Sequence, residues 1–365
     1  MVSMRKSFRA FLLASFAALS VSSASAGLFP FPNAVNGDDV TIAVAADAAW
    51  LSGRAREQVF ARGAYPETLA GSGSNRHRMS RLDWDLKNVF LVGGAGSIRT
   101  WRVSFNGGIW AGAGLGGSGV MEEWDWLVGD TPDARATPAN GANACSRSDA
   151  TVTTALVADG NVAFDLLDGD SAFALFPFAG FRLDRYEWEA ENGWRTDSGN
   201  GGIRTEMSGK SIEYELDCVQ AYFGLGGSCL LGRRFRLSAY GRFAPVYRAK
   251  DHEKRIANHY IAENRTDRDW FEDVAYGLGA RAEWALTPHC CLAASVDWSR
   301  YAFAEAKTKV RDAGEDGEDV AEEDEEEEEK PAKNSKKDKD DGKDAPFAGI
   351  ELENLTVSLG IVWRF

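Results

Sequence analysis

Past its first 26 residues the chain never runs through eighteen consecutive apolar residues, so it offers no helix able to cross a bilayer. Metal-binding chemistry is also scarce. Four histidines and five cysteines are present, and Cys145, Cys218, Cys229, Cys290 and Cys291 fall into no metal-ligand spacing. Two disulfides could form in an oxidising compartment, but the odd count and the vicinal Cys290 and Cys291 argue against a disulfide framework. His252 and Glu253 open an H-E-x-x-H zinc motif, yet Ile256 stands where the second histidine belongs. Gly112, Gly114 and Gly117 satisfy G-x-G-x-x-G, but no helical pattern follows, which excludes a dinucleotide site. No metal and no bound cofactor are therefore expected. An excess of positive charge is missing too. The formal net charge is −14, and the segment from Glu315 to Asp344 alone holds 16 acidic and 6 basic residues, a net of −10. The remainder is nearly balanced, which excludes nucleic acid as a partner.

What the chain does contain begins with a secretory signal. Residues 1–26 carry Arg5, Lys6 and Arg9, then an apolar stretch centred on Phe11 to Leu19, then Ala24-Ser25-Ala26 before Gly27. Residues 27–365 form one domain rich in alternating segments. WRVSFNGGIWA at 101–111 puts Trp101, Val103, Phe105, Ile109 and Ala111 on one face. FRLSAYGRF at 235–243 puts Phe235, Leu237, Ala239 and Phe243 on one face and Arg236, Tyr240 and Arg242 on the other. Arginines alternating with apolar residues suit a wall with lipid outside and a polar interior. About ten strands are expected, near 40–57, 80–96, 99–115, 150–167, 171–190, 205–227, 231–253, 269–287, 290–310 and 347–365. Short turns are expected at Gly94–Ser97, Asp168–Asp170, Gly226–Gly232 and Thr287–His289, and long polar loops at 58–79, 116–149, 191–204, 254–268 and 311–346. Short turns at one end and long external loops at the other make this an all-β, transmembrane antiparallel β-barrel of an outer membrane. Residues 314–345 read as an acidic low-complexity external loop. LTVSLGIVWRF, 355–365, reads as the last strand, and its terminal Phe365 resembles the signal taken up by the barrel insertion machinery.

Three segments lie where predicted strands meet external loops: GRAREQVF at 53–60, MEEWDWL at 121–127 and YRAKDHEKRIANHY at 247–260. Glu123 and Asp125 are two apart and share one face of an extended chain, as do Asp251 and Glu253. Facing carboxylate pairs can position and activate a water. The plain alternative is a solvated acidic rim.

These segments, with SRLDWDLKN at 80–88, VMEEWDWL at 120–127, NVAFDLL at 161–167, AYFGL at 221–225, LTP at 286–288 and AGIELEN at 348–354, resemble the omptin family, ten-stranded outer-membrane endopeptidases of Gram-negative bacteria. The resemblance runs from about residue 38 to the C-terminus. It implies an aspartic-type mechanism that cleaves peptides or proteins at basic residues with an activated water. Glu57 and Asp251 match the carboxylates that hold the basic side chain, Asp125 matches one member of a facing Asp pair, and Glu123 stands where the other is expected. The family's Asp-x-Asp-x-His reads here Asp251-His252-Glu253-Lys254-Arg255, so Glu253 replaces the dyad Asp and Arg255 the dyad His. An arginine stays protonated and cannot serve as the base. His252 and His259 are the nearest candidate bases, and His252 needs a β-bulge to face the cleft. The resemblance also implies lipopolysaccharide as an activating lipid on the outer wall, where Phe181, Leu183 and Arg185 match and only Arg185 keeps its charge. A catalytically inactive barrel that binds basic peptides as a surface receptor or adhesin is the alternative.

Overall fold

A computed structural model describes residues 40–62, 76–112, 117–126, 142–167, 172–197, 201–232, 234–257, 260–266, 273–307, 309–312 and 347–365. The signal segment, the acidic tract at 314–345, the turn at Asp168–Asp170 and His259 lie outside these residues. Thirteen strands form one antiparallel sheet: β1 Thr41–Arg62, β2 Arg76–Thr100, β3 Val103–Gly112, β4 Gly117–Asp125, β5 Ala144–Phe164, β6 Phe173–Asp197, β7 Arg204–Leu231, β8 Phe235–Ala257, β9 Tyr260–Thr266, β10 Ala275–Thr287, β11 Cys290–Lys307, β12 Lys309–Asp312 and β13 Phe347–Arg364. β3 and β4 follow one another between β2 and β5. β9 and β10 share the edge of β8, β12 continues β11 beside β9, and β13 pairs with β1. The result, among the described residues, is a closed ring of ten strand positions, the arrangement that satisfies the backbone in lipid.

Alternation sorts the side chains. Leu355, Val357, Leu359, Ile361 and Trp363 on β13 are exposed, while Asn354, Thr356 and Ser358 between them are buried inside. The same outward apolar row recurs as Phe105 and Ile109 on β3, Leu225 on β7, Phe235 and Leu237 on β8, and Leu278 and Trp284 on β10. This belt ends at about Trp50 on β1 and Phe181 on β6. Beyond it the outward residues are charged: Arg54 and Arg56 on β1, and Arg185, Glu187 and Glu189 on β6. The strands therefore rise well past the lipid-facing band.

Two expected turns are corrected. Gly94–Ser97 lies inside β2, and the turn falls at Trp101–Arg102, where Trp101 has φ 52°. The nearby glycines make room instead of bending the chain: a Cβ on Gly93 or Gly108 would collide with the Trp110 ring, which lies across them. Likewise β7 continues through Gly226 to Leu231, and the turn is made at Gly232, φ 65°. The Thr287–His289 turn is found in place. All five cysteines are free thiols.

Inside the membrane band the lumen is filled. Arg182, fully buried, donates to both oxygens of Asp184 at 2.8 and 2.9 Å and to Asp297 at 3.1 Å. Arg242 reaches Asp297 at 3.0 Å, and the hydroxyls of Tyr240 and Tyr301 cap Asp297 and Asp184. Above this network Trp84 stacks on Tyr214 with centroids 5.1 Å apart and planes at 5°, and Trp188 leans on both. The Trp188 indole N–H donates to the Asp85 carbonyl at 3.1 Å. These rings form the floor of the cleft above.

Candidate active site

The candidate residues stand on strands, not on loops. Expected at a loop boundary, Glu123 and Asp125 lie within β4, paired through Ser146 and Ala144 to β5 and through Leu82 and Ser80 to β2. Both are buried, at 3% and 8% exposure. Glu57 on β1, also opposite Leu82, is 4% exposed and faces inward between Ala55 and the cleft rim. A two-sided ladder holds these carboxylates more rigidly than a loop would.

On β8 the inward parity changes once. Ser238, Tyr240, Arg242 and Ala244 face the lumen; then Pro245 and Val246 are both exposed, and Tyr247, Ala249, Asp251 and Glu253 face inward. The register with β7 passes from Ala221 opposite Val246 to Phe223 opposite Phe243, so β8 carries one extra residue there. Proline suits the bulge because it has no N–H to contribute to the ladder. Asp251 and Glu253 are thereby buried at 2% and 4% exposure. No second bulge separates them, since β7 pairing runs unbroken from Val246 to Arg255. His252, paired with Glu215, accordingly lies on the opposite face, turned away from Asp251 and Glu253.

Arg255 joins the two walls. Its Nε donates to Glu253 Oε1 at 2.6 Å, and its Nη2 lies 2.6 Å from Glu123 Oε1 on β4. The Ser146 hydroxyl donates to the other oxygen of Glu123 at 3.0 Å. Arg195 on β6 donates from Nη2 to Asp125 Oδ2 at 3.2 Å. Below, the Tyr214 hydroxyl donates to Asp251 Oδ2 at 3.4 Å. The site lies beyond the apolar belt, in water-facing strands. Burial would raise Glu123, but the charges and hydrogen bonds of Arg255, with Arg195 and Ser146, hold it below the usual carboxylate range. Burial and the neighbouring Glu123 charge push Asp125 up to about 6, against the pull of Ser80, Arg195 and Arg255. One carboxylate of the pair is thus fixed as an anion and the other titrates near neutrality, the split that separates a charge stabiliser from a proton carrier.

Carboxylate chemistry on a ten-position barrel whose strands carry these motifs decides the lineage once compared with known sequences: the model of the omptin family matches residues 38–365. The chain belongs to the omptin family. Among its relatives, the plasminogen activator of Yersinia pestis is 25% identical over 353 residues, 95% of each chain. The outer membrane protease OmpP of Escherichia coli (strain K12) is 23% identical over 278 residues, covering 73% of this chain and 79% of that one. The crystal structure of the outer membrane protease OmpT from Escherichia coli superposes with a TM-score of 0.68 at 20% identity, over 89% of this chain and 97% of that one, and so shares the fold. The outer membrane is the location of this omptin barrel, as its lipid-facing girdle requires.

The structure therefore joins Glu123 and Glu253 through Arg255, places Asp125 beside Glu123 with Arg195 as its partner, and sets Glu57 and Asp251 inward on β1 and β8. Arg185 lies elsewhere, on the outer wall, where Glu187, Glu215 and Asp217 at 3.1, 2.5 and 3.5 Å engage its guanidinium. Arg195 and Ser146 escape the sequence reading. The expected loop at 191–204 instead begins as strand: Asn192 and Gly193, with φ 53° and 117°, make a bulge inside β6 that carries it on to Arg195. Among the described residues no group of three or more His, Cys, Asp or Glu is arranged to hold a metal ion.

Proposed function

We propose that this chain is an outer-membrane endopeptidase that cleaves peptides or proteins at basic residues with an activated water, its cleft facing outside. The observation that supports this most directly is the convergence of inward, buried carboxylates above an aromatic floor: Glu57, Glu123, Asp125, Asp251 and Glu253. Such a site favours a cationic side chain, and relatives named as proteases lend it a peptidase lineage. In this reading Glu57 and Asp251 bind the guanidinium or ammonium of the substrate through charge-assisted hydrogen bonds. Glu123, Asp125 and Glu253 order the water. Lipopolysaccharide is the activating lipid of the reading, with Arg185 as its contact, although the carboxylates already around Arg185 must then share it.

The test is cleavage of a quenched Arg-Arg peptide by barrel refolded with and without lipopolysaccharide. Glu57→Gln and Asp251→Asn should each lower kcat/KM roughly 30- to 1,000-fold, equivalent to about 2–4 kcal/mol. Both should spare a control peptide in which citrulline replaces arginine. Equal losses on both peptides would remove Glu57 and Asp251 from specificity.

One observation favours a second reading. Arg255 bridges Glu253 and Glu123 at the place where the resemblance expects a histidine. A cleft so occupied could serve as a receptor for basic peptides, and binding of the Arg-Arg peptide without turnover would establish it.

A further inference from the structure

Resting on the peptidase reading, we propose that Arg255 is a catalytic electrophile. Its guanidinium, pinned between Glu253 and Glu123, receives the oxyanion of the tetrahedral intermediate while Asp125 takes the proton from the attacking water. The argument starts from hydrogen-bond supply. A guanidinium has five N–H donors in a planar fork; Nε donates to Glu253 at 2.6 Å, and Nη2 stands in an ion pair 2.6 Å from Glu123 Oε1. The side chain keeps 32% of its surface exposed, whereas Glu123 and Glu253 keep only 4% and 5%. Two anions on opposite walls thus fix the ion in position, and the part left open faces water. Fixed donors at a water-restricted site are what a developing oxyanion needs, because they do not reorganise as charge appears.

A base must then come from groups on the same walls. His252 is turned to the other face of β8. Glu123 is committed as an anion to Arg255 and Ser146. Glu253 is likewise held by Arg255, and Glu57 and Asp251 are assigned to the substrate cation; Asp125 remains, two residues along β4 from Glu123 and on the same face. It is surrounded by Glu123 on its own strand, Ser80 on β2, Arg195 on β6 and Arg255 on β8. Its tendency to titrate near 6 suits proton transfer in both directions.

The chemistry balances without a co-reactant. Water adds through oxygen to the scissile carbonyl carbon; its proton passes to the Asp125 carboxylate, and the carbonyl π pair becomes the oxyanion held by Arg255. As the oxyanion collapses the C–N bond breaks, and Asp125 returns the proton to the leaving amine.

The test is steady-state kinetics on the Arg-Arg peptide with the full barrel in lipid. Arg255→Lys keeps the charge that offsets the repulsion between Glu123 and Glu253 but loses the fork. It should lower kcat about 10²- to 10³-fold, with KM within about threefold and the thermal midpoint preserved. Arg255→Ala should regain part of its activity in added guanidinium but not in sodium chloride of equal ionic strength. The acid limb of kcat/KM, set by Asp125, should move to lower pH in Glu123→Gln, because a neighbouring negative charge is gone. If the intact barrel cleaves and Arg255→Lys retains kcat within threefold, or if His259→Ala alone abolishes turnover, the proposal is overturned and the peptidase reading stands. If the intact barrel binds the peptide and never cleaves it, both fall together.

Discussion

Asp125 shows how one residue can link stability to chemistry. Its folded-state titration is raised to about 6 from an ordinary 3.8 by burial and by Glu123. A carboxyl raised in this way favours the folded state while protonated. It contributes stability fully below its unfolded value, and that contribution is lost as pH rises through about 6. Asp125→Asn removes the titration at nearly constant shape. The variant should melt at or above the parent at pH 8 and show no such gain at pH 4; it should lose cleavage about 10²- to 10⁴-fold at pH 8 and far less at pH 4, where the parent's own base is already protonated. A variant destabilised equally at the two values would show that the Arg195 ion pair at 3.2 Å, not the burial of charge, dominates at this position. The carboxylates were legible in the sequence because period two places Glu123 with Asp125 and Asp251 with Glu253. The same period sets Arg255 beside Glu253, but its reach to Glu123 on β4, and the arrival of Arg195 from β6 at Asp125, span sequence separations that no local pattern records.

At the scale of elements, alternation identified all ten strand positions, and on β3 and β8 the outward face, because burial on one side and lipid on the other impose a strict dyad pattern. It misplaced ends wherever both faces become polar. β4, the start of β5 and the end of β6 rise above the lipid belt, lose the apolar row and read as loop. Glycines misled in the same way: the expected turn at Gly94–Ser97 lies inside β2, where the neighbouring Gly93 makes room for Trp110. The bulge at Pro245 was foreseeable, because Phe235 and Leu237 fix an odd lipid face that would send Asp251 outward unless one residue is added. Deleting Pro245 should therefore restore uninterrupted alternation and turn Asp251, Glu253 and Arg255 out of the cleft. Binding and cleavage of the Arg-Arg peptide should disappear while the barrel stays resistant to unfolding in detergent. Pro245→Ala, which keeps the residue count, should retain activity within about fivefold. A deletion variant that still cleaves would show that β8 restores the bulge elsewhere.

As a whole molecule the barrel is a blind cleft standing on a sealed stem, and the seal is ionic. Arg182 comes from β6, Arg242 and Tyr240 from β8, Asp297 and Tyr301 from β11, so one network ties distant walls of the ring across the lumen. Every member is buried, which makes the pairing obligatory: removing one charge leaves its partners without compensation in a low-dielectric interior. Arg182→Ala should thus lower the unfolding free energy by about 3–5 kcal/mol, read as a shift of the urea midpoint in lipid vesicles. Cleavage measured well below the new midpoint should change little, because the Trp84, Trp188 and Tyr214 rings lie between the network and the candidate carboxylates of the cleft. Arg182→Met, of similar volume but equally uncharged, should be as unstable as the alanine variant if the uncompensated Asp184 is the cause, since Asp297 keeps Arg242. If methionine instead restores stability, lost packing volume, not lost charge, holds the stem together.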